Sequence, residues 1–349
     1  MTASFRVLVV DDSPTNRVNI SNILQTDPRL VVAARAGDGQ EAIRAVNEYQ
    51  PDVITLDLEM PRMDGFTFLR ILQSSRPTPV IVVSTDSRPH SVFQALELGA
   101  VDFVVKPVHG GVTVLHEAAD ELRDKVLASA LYAGRLTGNE VVQEKEITQA
   151  RRSGIKCVAV AASTGGPPVV QAFLESFSEP PPFSIVVAQH MPARFTEALA
   201  ERLAKRMRFP VAELKQAEKV VPGRAYICPG GLITAVKNVG NDVVARLSPP
   251  AAERYSPSAD ILLTSVAEVF KTEAAAVVCT GMGNDGAEGA QKVERVGGRV
   301  FVEAPQTAVL PTMPQATLDA CATARPMRKD ALCRYFSNAA KALAAQQKP

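Results

Sequence analysis

The sequence predicts an α/β protein with two domains, each built on a doubly wound, mainly parallel sheet. Its 349 residues correspond to about two domains of ordinary size. In both halves, short apolar runs rich in β-branched residues alternate with amphipathic stretches, which is typical of parallel sheets covered by helices. A stretch of mixed charge without this pattern separates the halves. We therefore predict domains at 4–123 and 153–345, joined by a linker at 124–152.

The first domain is predicted to contain five strands and five helices in alternation. The predicted strands are 7–10, 30–34, 53–56, 80–83 and 103–105, and the predicted helices are 15–25, 40–49, 65–74, 90–98 and 112–133. Ser13 and Pro14 form a favourable helix start, because serine caps the first turn and proline fits the first helical position. Five repeats within about 100 residues indicate a compact five-stranded parallel sheet.

Three apolar runs in the second half predict buried parallel strands, at 158–162, 185–189 and 276–280. They lead into Ser163, His190 and Asp285, respectively. Because such strands deliver side chains to one crevice at their carboxyl ends, a hydroxyl, an imidazole and a carboxylate should meet there. These are the parts of an activated serine nucleophile. No histidine follows His116 except His190, so this half offers one candidate base.

The bulk composition argues against several classes of function. Lys+Arg total 38 and Asp+Glu total 37, and the resulting net charge of +1 gives no electrostatic case for binding nucleic acid or an anionic membrane. No apolar stretch approaches the ~20 residues of a membrane span, and the N-terminus does not resemble a secretory signal. The five cysteines form no CxxC pair, which favours small buried side chains over metal ligands or disulfides. We expect a cytoplasmic protein without membrane insertion.

Polar side chains stand at the predicted strand ends of the first domain: Asp11, Asp12, Asp57, Ser84 and Lys106. Three converging carboxylates repel each other unless a cation is present, and Mg²⁺ prefers such oxygen ligands. Together with a hydroxyl and a lysine, they suit a phosphoryl group that a carboxylate accepts. The alternative is a set of solvated acids at helix N-termini, where aspartate is favoured in any case. The placement of all five at strand exits favours the phosphoryl site.

The first domain resembles the receiver domain of two-component response regulators, which has a flavodoxin-like fold. The matching strings are Val7–Ser13, Leu56–Gly65, Ala95–Ala100 and Phe103–Pro107. The resemblance implies that Asp57 accepts the phosphoryl group from a histidine kinase and that Asp11 and Asp12 hold Mg²⁺ with it. It also implies that Ser84 and Lys106 sense the phosphoryl group. Thr85 is the rival of Ser84 for the hydroxyl role.

Ser163 is predicted to lie on a strand-to-helix turn. It precedes Gly165-Gly166 and a helical run at 169–176, so amides at the helix N-terminus could stabilise an oxyanion. The string half-matches the G-x-S-x-G elbow, with Ala161 in place of the first glycine, and a phosphate-binding turn is a competing interpretation. The order Ser163, His190, Asp285 excludes the α/β-hydrolase scaffold but not the chemistry. Asp285 could instead be a simple Asn-Asp-Gly turn residue.

The second domain resembles the catalytic domain of the CheB family of chemotaxis receptor methylesterases. The matching strings are Ala162–Pro167, Gln189–Pro192, Cys228–Gly231, Pro257–Asp260 and Thr280–Gly286. The resemblance implies hydrolysis of glutamate γ-methyl esters, and deamidation of glutamines, on the cytoplasmic helices of chemoreceptors. It implies no cofactor for this chemistry, and control through a chemotaxis histidine kinase. Ser163 would be the nucleophile, His190 the base and then the acid, and Asp285 the orienting carboxylate.

Further positions follow from the same resemblance. Backbone amides near Thr164 and Gly165, with the loop that carries Met282, are candidate oxyanion or substrate contacts. The chain departs from the family at Tyr255, where histidine is common, and at Thr312, where glycine is common. Ala161 or Ala162 also stands where the family usually has glycine. None of these departures removes a catalytic group.

Two other functions compete with a phosphorylation-controlled esterase. One is a non-catalytic signalling module, such as a phosphate sink, that keeps an esterase-like domain. The other is an unrelated serine esterase that acts on small esters under receiver control. Retention of Ser163, His190 and Asp285 together favours the enzyme, because drift would be expected to remove at least one of them.

Overall fold

The computed structural model describes residues 4–85, 89–106, 112–132, 154–251 and 255–347, except for the side chains of 85, 112–117 and 347. The described residues up to 132 form one compact unit, and those from 154 onward form another. Helix α5 of the first unit continues to Tyr132, so the start of the predicted linker, 124–132, is helical. The rest of the predicted linker, up to 152, lies outside the described residues.

The first unit is a five-stranded parallel sheet with the order β2-β1-β3-β4-β5. Its strands are β1 Phe5–Val10, β2 Leu30–Ala36, β3 Val53–Leu56, β4 Val80–Thr85 and β5 Asp102–Lys106. Its helices are α1 Pro14–Leu24, α2 Gly39–Tyr49, α3 Gly65–Ser75, α4 Pro89–Glu97 and α5 Val112–Tyr132. The predicted flavodoxin-like fold is confirmed, and each element lies close to its predicted position.

Side-chain caps fix where the first three helices begin. Ser13 Oγ accepts a hydrogen bond from Asn16 N at 3.4 Å, and Pro14 is the first residue of α1. The Asp38 and Asp64 carboxylates cap α2 and α3 in the same way, through Glu41 N at 2.8 Å and Thr67 N at 2.7 Å. Since each cap follows a strand, the loops at the carboxyl edge of the sheet are held in place there.

The second unit contains a seven-stranded parallel sheet with the order β14-β13-β12-β6-β7-β9-β8. The strands are β6 Cys157–Ala162, β7 Ser184–Gln189, β8 Val211–Glu213, β9 Ala225–Ile227, β12 Ala274–Val278, β13 Arg299–Glu303 and β14 Arg325–Met327. Strands β10 Ile233–Val239 and β11 Asp242–Ser248 form a separate antiparallel hairpin. The predicted mainly parallel α/β class is confirmed.

Six helices cover this sheet: α6 Gly166–Glu175, α7 Ala193–Arg206, α8 Ala259–Phe270, α9 Ala287–Arg295, α10 Thr312–Ala320 and α11 Lys329–Gln347. Every residue of β6, β7 and β12 is buried, as expected for central parallel strands that are packed on both faces. The chain runs from β6 outward to β7 and later returns to place β12 on the other side of β6. The topological switch, where α/β sheets gather functional groups, is therefore at β6.

Two predicted boundaries are wrong. Strand β12 ends at Val278, so Cys279 and Thr280 belong to the loop that follows it. Helix α6 begins at Gly166 instead of Val169, because Gly165 adopts a left-handed φ of 75° that turns the chain, and Pro167 and Pro168 fit the first helical turn. No helix among the described residues is long and apolar enough to cross a membrane.

Candidate functional sites

The turn that carries Ser163 is hydrogen-bonded to β7 and to the loop that follows β12. Ser163 N donates to Thr280 O, beyond β12, at 3.0 Å, and Ser163 O accepts from Gln189 Nε2, on β7, at 2.8 Å. A Cβ on Gly281 would lie 2.7 Å from Ser163 Cβ, so only glycine fits beside the serine. The serine is therefore held in one position at the switch point of the sheet.

His190 follows β7 directly and lies next to Ser163. His190 N donates to Ala162 O at 3.0 Å, and the register pairs Ala162 with Gln189, so residues 163 and 190 leave adjacent strands together. The imidazole Nε2 is 2.8 Å from Asp285 Oδ2. The structure thus brings the ends of β6, β7 and the loop after β12 to one place, as the strand-end reasoning predicts.

The Asp285 carboxylate is hydrogen-bonded to the N-terminus of α8. Its carboxylate accepts from Ala259 N at 2.7 Å and from Asp260 N at 2.9 Å, and Ser258 Oγ lies 3.3 Å away. Burial alone would raise the pKa of Asp285, but the hydrogen bonds from His190 and from these amides outweigh it and lower the pKa. Asp285 is therefore an ionised, buried partner for the imidazole and not a plain turn residue.

The two imidazole nitrogens of His190 have different environments. Nε2 is bound to Asp285, whereas Nδ1 is buried and makes no hydrogen bond with the described residues. With Nε2–H donated to the carboxylate, Nδ1 carries the lone pair that can take a proton. In the chymotrypsin arrangement the carboxylate binds Nδ1, whereas here Asp285 binds Nε2.

Asp260 lies beside this pair and was not assigned a role from the sequence. Burial and the neighbouring Asp285 carboxylate raise the pKa of Asp260 to about 6, although Gly289 N donates to its Oδ1 at 2.7 Å. A second carboxyl group thus shares the N-terminus of α8 with Asp285. The Pro257–Asp260 string is one of those that match the CheB family, but the sequence does not show that it contacts Asp285, which the fold does.

The loop 281–283, which carries Met282, is anchored through Thr312. Thr312 Oγ1 donates to Gly281 O at 2.9 Å and accepts from Gly283 N at 3.0 Å. Met282 is half-buried in this loop. Thr312, noted above only as a departure, therefore positions the backbone next to Ser163.

Thr164 and Gly165 complete the turn after the serine. The Thr164 side chain is buried, and its carbonyl accepts from Thr280 Oγ1 at 3.0 Å. Gly165 could not carry a side chain, because a Cβ there would lie 2.7 Å from Val309 Cβ. Both backbone amides precede the first turn of α6, and their role as oxyanion contacts stays a prediction.

Glu303, the last residue of β13, is hydrogen-bonded to the backbone of Thr280. The residue is 3% exposed, and Oε2 accepts from Thr280 N at 2.7 Å. Burial raises the pKa of Glu303 to about 7, and the hydrogen bond from Thr280 N and the positive charge of Lys329 oppose this only in part. Sequence reasoning missed Glu303, because nothing in its local pattern distinguishes it from a surface carboxylate.

The Cys228–Gly231 string packs against the loop that follows His190. Gly230 N donates to Thr196 Oγ1 at 2.9 Å, and a Cβ on Gly230 would collide with Met191 O and the Pro192 backbone. The glycine is required by this close approach of two backbones. The string therefore supports the His190 loop and supplies no reacting group.

The first unit gathers its carboxylates at the carboxyl edge of its sheet. One oxygen from each of Asp11, Asp12 and Asp57 lies within 4.8 Å of the others. Three convergent carboxylate oxygens fit the oxygen-ligand preference of a hard divalent cation. The donor set is thus suitable for Mg²⁺, as the sequence analysis expects.

Lys106 bridges two of these carboxylates. Its Nζ is 2.8 Å from Asp11 Oδ2 and also contacts Asp57 Oδ2. Burial opposes the positive charge, yet the two carboxylates raise the pKa of Lys106. Burial raises the pKa of Asp57, and Lys106 counteracts this only in part. A cation thus already faces the carboxylate that is predicted to accept phosphate.

Ser84 lies near this cluster in the sheet. It is buried near the end of β4, opposite Val105, the residue before Lys106. The side chain of the rival residue, Thr85, and the whole of Pro107 lie outside what the structure describes. Phe103 is buried, with Lys125 Nζ 5.4 Å from its ring centroid.

Comparison with known proteins identifies relatives for both units. The family model described as CheB methylesterase matches residues 158–334, and the one described as response regulator receiver domain matches residues 7–119. A crystal structure of the Thermotoga maritima CheB methylesterase catalytic domain is 34% identical, covering 52% of this chain and 100% of that chain at a TM-score of 0.49.

Two curated proteins match almost the whole chain. Protein-glutamate methylesterase/protein-glutamine glutaminase 1 of Myxococcus xanthus (strain DK1622) is 43% identical over 309 residues, which are 88% of this chain and 89% of that protein. Protein-glutamate methylesterase/protein-glutamine glutaminase 3 of Geobacter sulfurreducens (strain ATCC 51573 / DSM 12127 / PCA) is 41% identical over 338 residues, with 90% of this chain and 91% of that protein covered.

Proposed function

Because the chain belongs to the CheB methylesterase family and carries a receiver domain, we propose that it demethylates chemoreceptors under the control of a histidine kinase. Family membership makes it a hydrolase of the methylesterase and glutaminase class, with a response-regulator domain. The proposed substrates are glutamate γ-methyl esters and glutamines on the cytoplasmic helices of chemoreceptors. The proposed location is the cytoplasm.

One observation supports the catalytic mechanism above all others. The His190 imidazole is bound to the buried, ionised Asp285 at 2.8 Å, and it stands at the strand end next to Ser163. A charged carboxylate behind an imidazole, with a hydroxyl on the neighbouring strand end, is the arrangement that activates a serine. A carboxylate kept only for folding would not require this alignment.

The reaction is proposed to proceed through an acyl-enzyme. Ser163 Oγ attacks the γ-carbonyl carbon of the ester while His190 Nδ1 takes the hydroxyl proton. The bond to the methoxy oxygen then breaks, and His190 returns the proton so that methanol leaves. Water attacks the γ-glutamyl ester of Ser163 in the same way, which releases glutamate and restores the serine. With glutamine as substrate, ammonia leaves in place of methanol.

Backbone amides are proposed to stabilise the tetrahedral intermediate. The amides of Thr164 and Gly165 lie at the turn before α6, where the helix dipole also favours negative charge. The Met282 loop, held by Thr312, is proposed to contact the substrate from the other side. Asp285 keeps its charge when His190 becomes an imidazolium, because the α8 amides already bind it.

The first unit is proposed to accept phosphate at Asp57. Asp11, Asp12 and Asp57 would hold Mg²⁺, which offsets the charge of the incoming phosphoryl group. Lys106 would bind a phosphoryl oxygen, because it already contacts Asp57, and Ser84 would contribute its hydroxyl. A chemotaxis histidine kinase is the proposed donor.

Release of methanol tests the proposal. Receptor-containing membranes with methylated glutamates are incubated with the full chain, with and without a small phosphodonor and Mg²⁺. We expect methanol to be released, faster with the phosphodonor, and not to be released by Ser163→Ala. Phosphorylation without methanol release would instead support a phosphate sink. Hydrolysis of small esters but not of receptor esters would support a general esterase.

A further inference from the structure

Tyr255 covers one face of the catalytic imidazole. Its ring lies parallel to that of His190, with centroids 4.6 Å apart and an angle of 7° between the ring planes. His190 is itself only 11% exposed, so this face of the imidazole is covered by an aromatic ring instead of water. A stacked ring at this distance is an energetically significant contact.

The phenol end of Tyr255 is fixed by the loop that flanks Ser163. The Tyr255 hydroxyl oxygen is buried, and a Cβ on Gly283 would collide with it. Gly283 also has a φ of 93°, which disfavours any other residue. The same loop approaches Ser163 through Gly281. Tyr255 is thus held between the base and the loop beside the nucleophile.

The imidazole needs such support, because its ring makes one hydrogen bond to the described residues. The hydrogen bond between Nε2 and Asp285 holds that nitrogen in place, but the plane of the ring can still rotate about the direction of the bond. A flat partner against one face restricts the tilt and so holds Nδ1 in one direction. The electron-rich face of tyrosine also favours a cation above it, and the imidazole becomes a cation when it takes the serine proton.

We propose that Tyr255 is a positioning residue of the esterase, which fixes the plane of the His190 imidazole and stabilises its protonated form during acyl transfer. This inference rests on the proposed function, because it requires His190 to act as the base. Tyr255 takes no part in bond making. Without its ring, the imidazole would adopt more orientations, and the cation formed in the transition state would lose one stabilising contact.

Two matched substitutions separate the ring from the hydroxyl in the full chain. Tyr255→Phe keeps the ring, and we expect kcat for methanol release to stay within about threefold of the unsubstituted protein. Tyr255→Leu removes the ring, and we expect kcat to fall by about tenfold, which lies between the values for an exposed and a fully desolvated cation–π contact. KM should change little, because the ring is argued to act on the base and not on the bound ester.

The pH profile of kcat distinguishes positioning from simple packing. Asp285 and Asp260 are the titratable groups on the α8 side of the imidazole, and Tyr255→Phe and Tyr255→Leu leave both in place. Loss of the ring should shift the acid limb of the profile to lower pH, since the imidazolium is less stabilised, whereas loss of the hydroxyl should not. Tyr255→His, which keeps a flat ring, should retain more activity than Tyr255→Leu.

Equal kcat values and equal acid limbs for Tyr255→Leu and Tyr255→Phe would overturn the inference. Circular dichroism and melting establish that each variant is folded, and Tyr255→Met replaces the leucine variant if that one unfolds. Ser163→Ala is measured in parallel. If it is inactive while the leucine and phenylalanine variants agree, only the role of Tyr255 is wrong. If it is active, the proposed esterase mechanism itself is wrong.

Discussion

Because Glu303 is buried, we expect the free energy of unfolding of the chain to depend on pH in a way that can be calculated. Burial raises the pKa of this carboxyl to about 7 in the folded chain, against an ordinary value of 4.5. The folded state therefore binds the proton more tightly than the unfolded state does. The associated stability is fully present below pH ~4.5 and is lost as the pH rises through ~7.

The expected magnitude follows from these two pKa values. Each pKa unit corresponds to about 1.4 kcal/mol, so ionisation of Glu303 should reduce the free energy of unfolding by about 3 kcal/mol between pH 4.5 and pH 8. Glu303→Gln cannot ionise, yet its amide oxygen can still accept the bond from Thr280 N. The variant should match the unsubstituted chain near pH 4.5 and be more stable by up to about 3 kcal/mol at pH 8.

Calorimetry of the full chain at several pH values measures this difference. The two units have separate cores, so the melting transition of the first unit serves as an internal reference. Glu268→Gln is the matched control, because Glu268 is exposed and has no buried charge to lose. A Glu303→Gln variant that is no more stable than the unsubstituted chain at pH 8 would refute the reasoning. It would mean that the ionised carboxylate is fully compensated by its surroundings.

Three further predictions concern chemistry and regulation. Asp57→Asn should not be labelled by a phosphodonor, and removal of divalent cations should abolish labelling of the unsubstituted chain; equal labelling of the variant would make another residue the acceptor. Measured by methanol release, Ser163→Ala and His190→Ala should each lower turnover by several orders of magnitude, and Asp285→Asn should lower it somewhat less. The Ser163/His190 double variant should lower turnover scarcely more than either single substitution does. A fragment that begins at Ser153 should be at least as active as the unphosphorylated full chain if the receiver restrains the esterase. A folded but clearly weaker fragment would instead mean that the receiver helps to build the site.

Strand-end reasoning predicted much of the site because parallel sheets constrain where side chains emerge. Buried runs rich in valine and alanine identified β6, β7 and part of β12, and the fold places these three strands side by side. Only the order of strands, which the sequence did not reveal, puts β6 in the middle. The other six strands of the second unit went unpredicted, and three of them, β8, β9 and β14, have only three residues each, which carry too little pattern to be distinguished from a loop.

The supporting residues were missed for a different reason. Tyr255, Thr280 and Glu303 make their contacts with residues distant in the chain, so even the string that contains Thr280 and the departure at Tyr255 did not reveal what these side chains touch. The contact between Thr280 and Glu303 spans 23 positions, and the contact between Thr280 and Thr164 spans 116. The sequence also does not predict which imidazole nitrogen binds Asp285, since this depends on the side from which the carboxylate approaches the ring.

The position of Asp285 explains how this site can keep a buried charge. Ser163 and His190 follow β6 and β7 directly and Asp285 lies in the loop after β12, where an ionised carboxylate that is 4% exposed requires compensation. The N-terminus of α8 supplies it through two amides and the Ser258 hydroxyl, in addition to the His190 bond. The His190 hydrogen bond and charge, together with the α8 amides, outweigh burial and lower the pKa of Asp285. With the Tyr255 ring parallel to the imidazole, His190 has a buried carboxylate at its edge and an aromatic ring on one face.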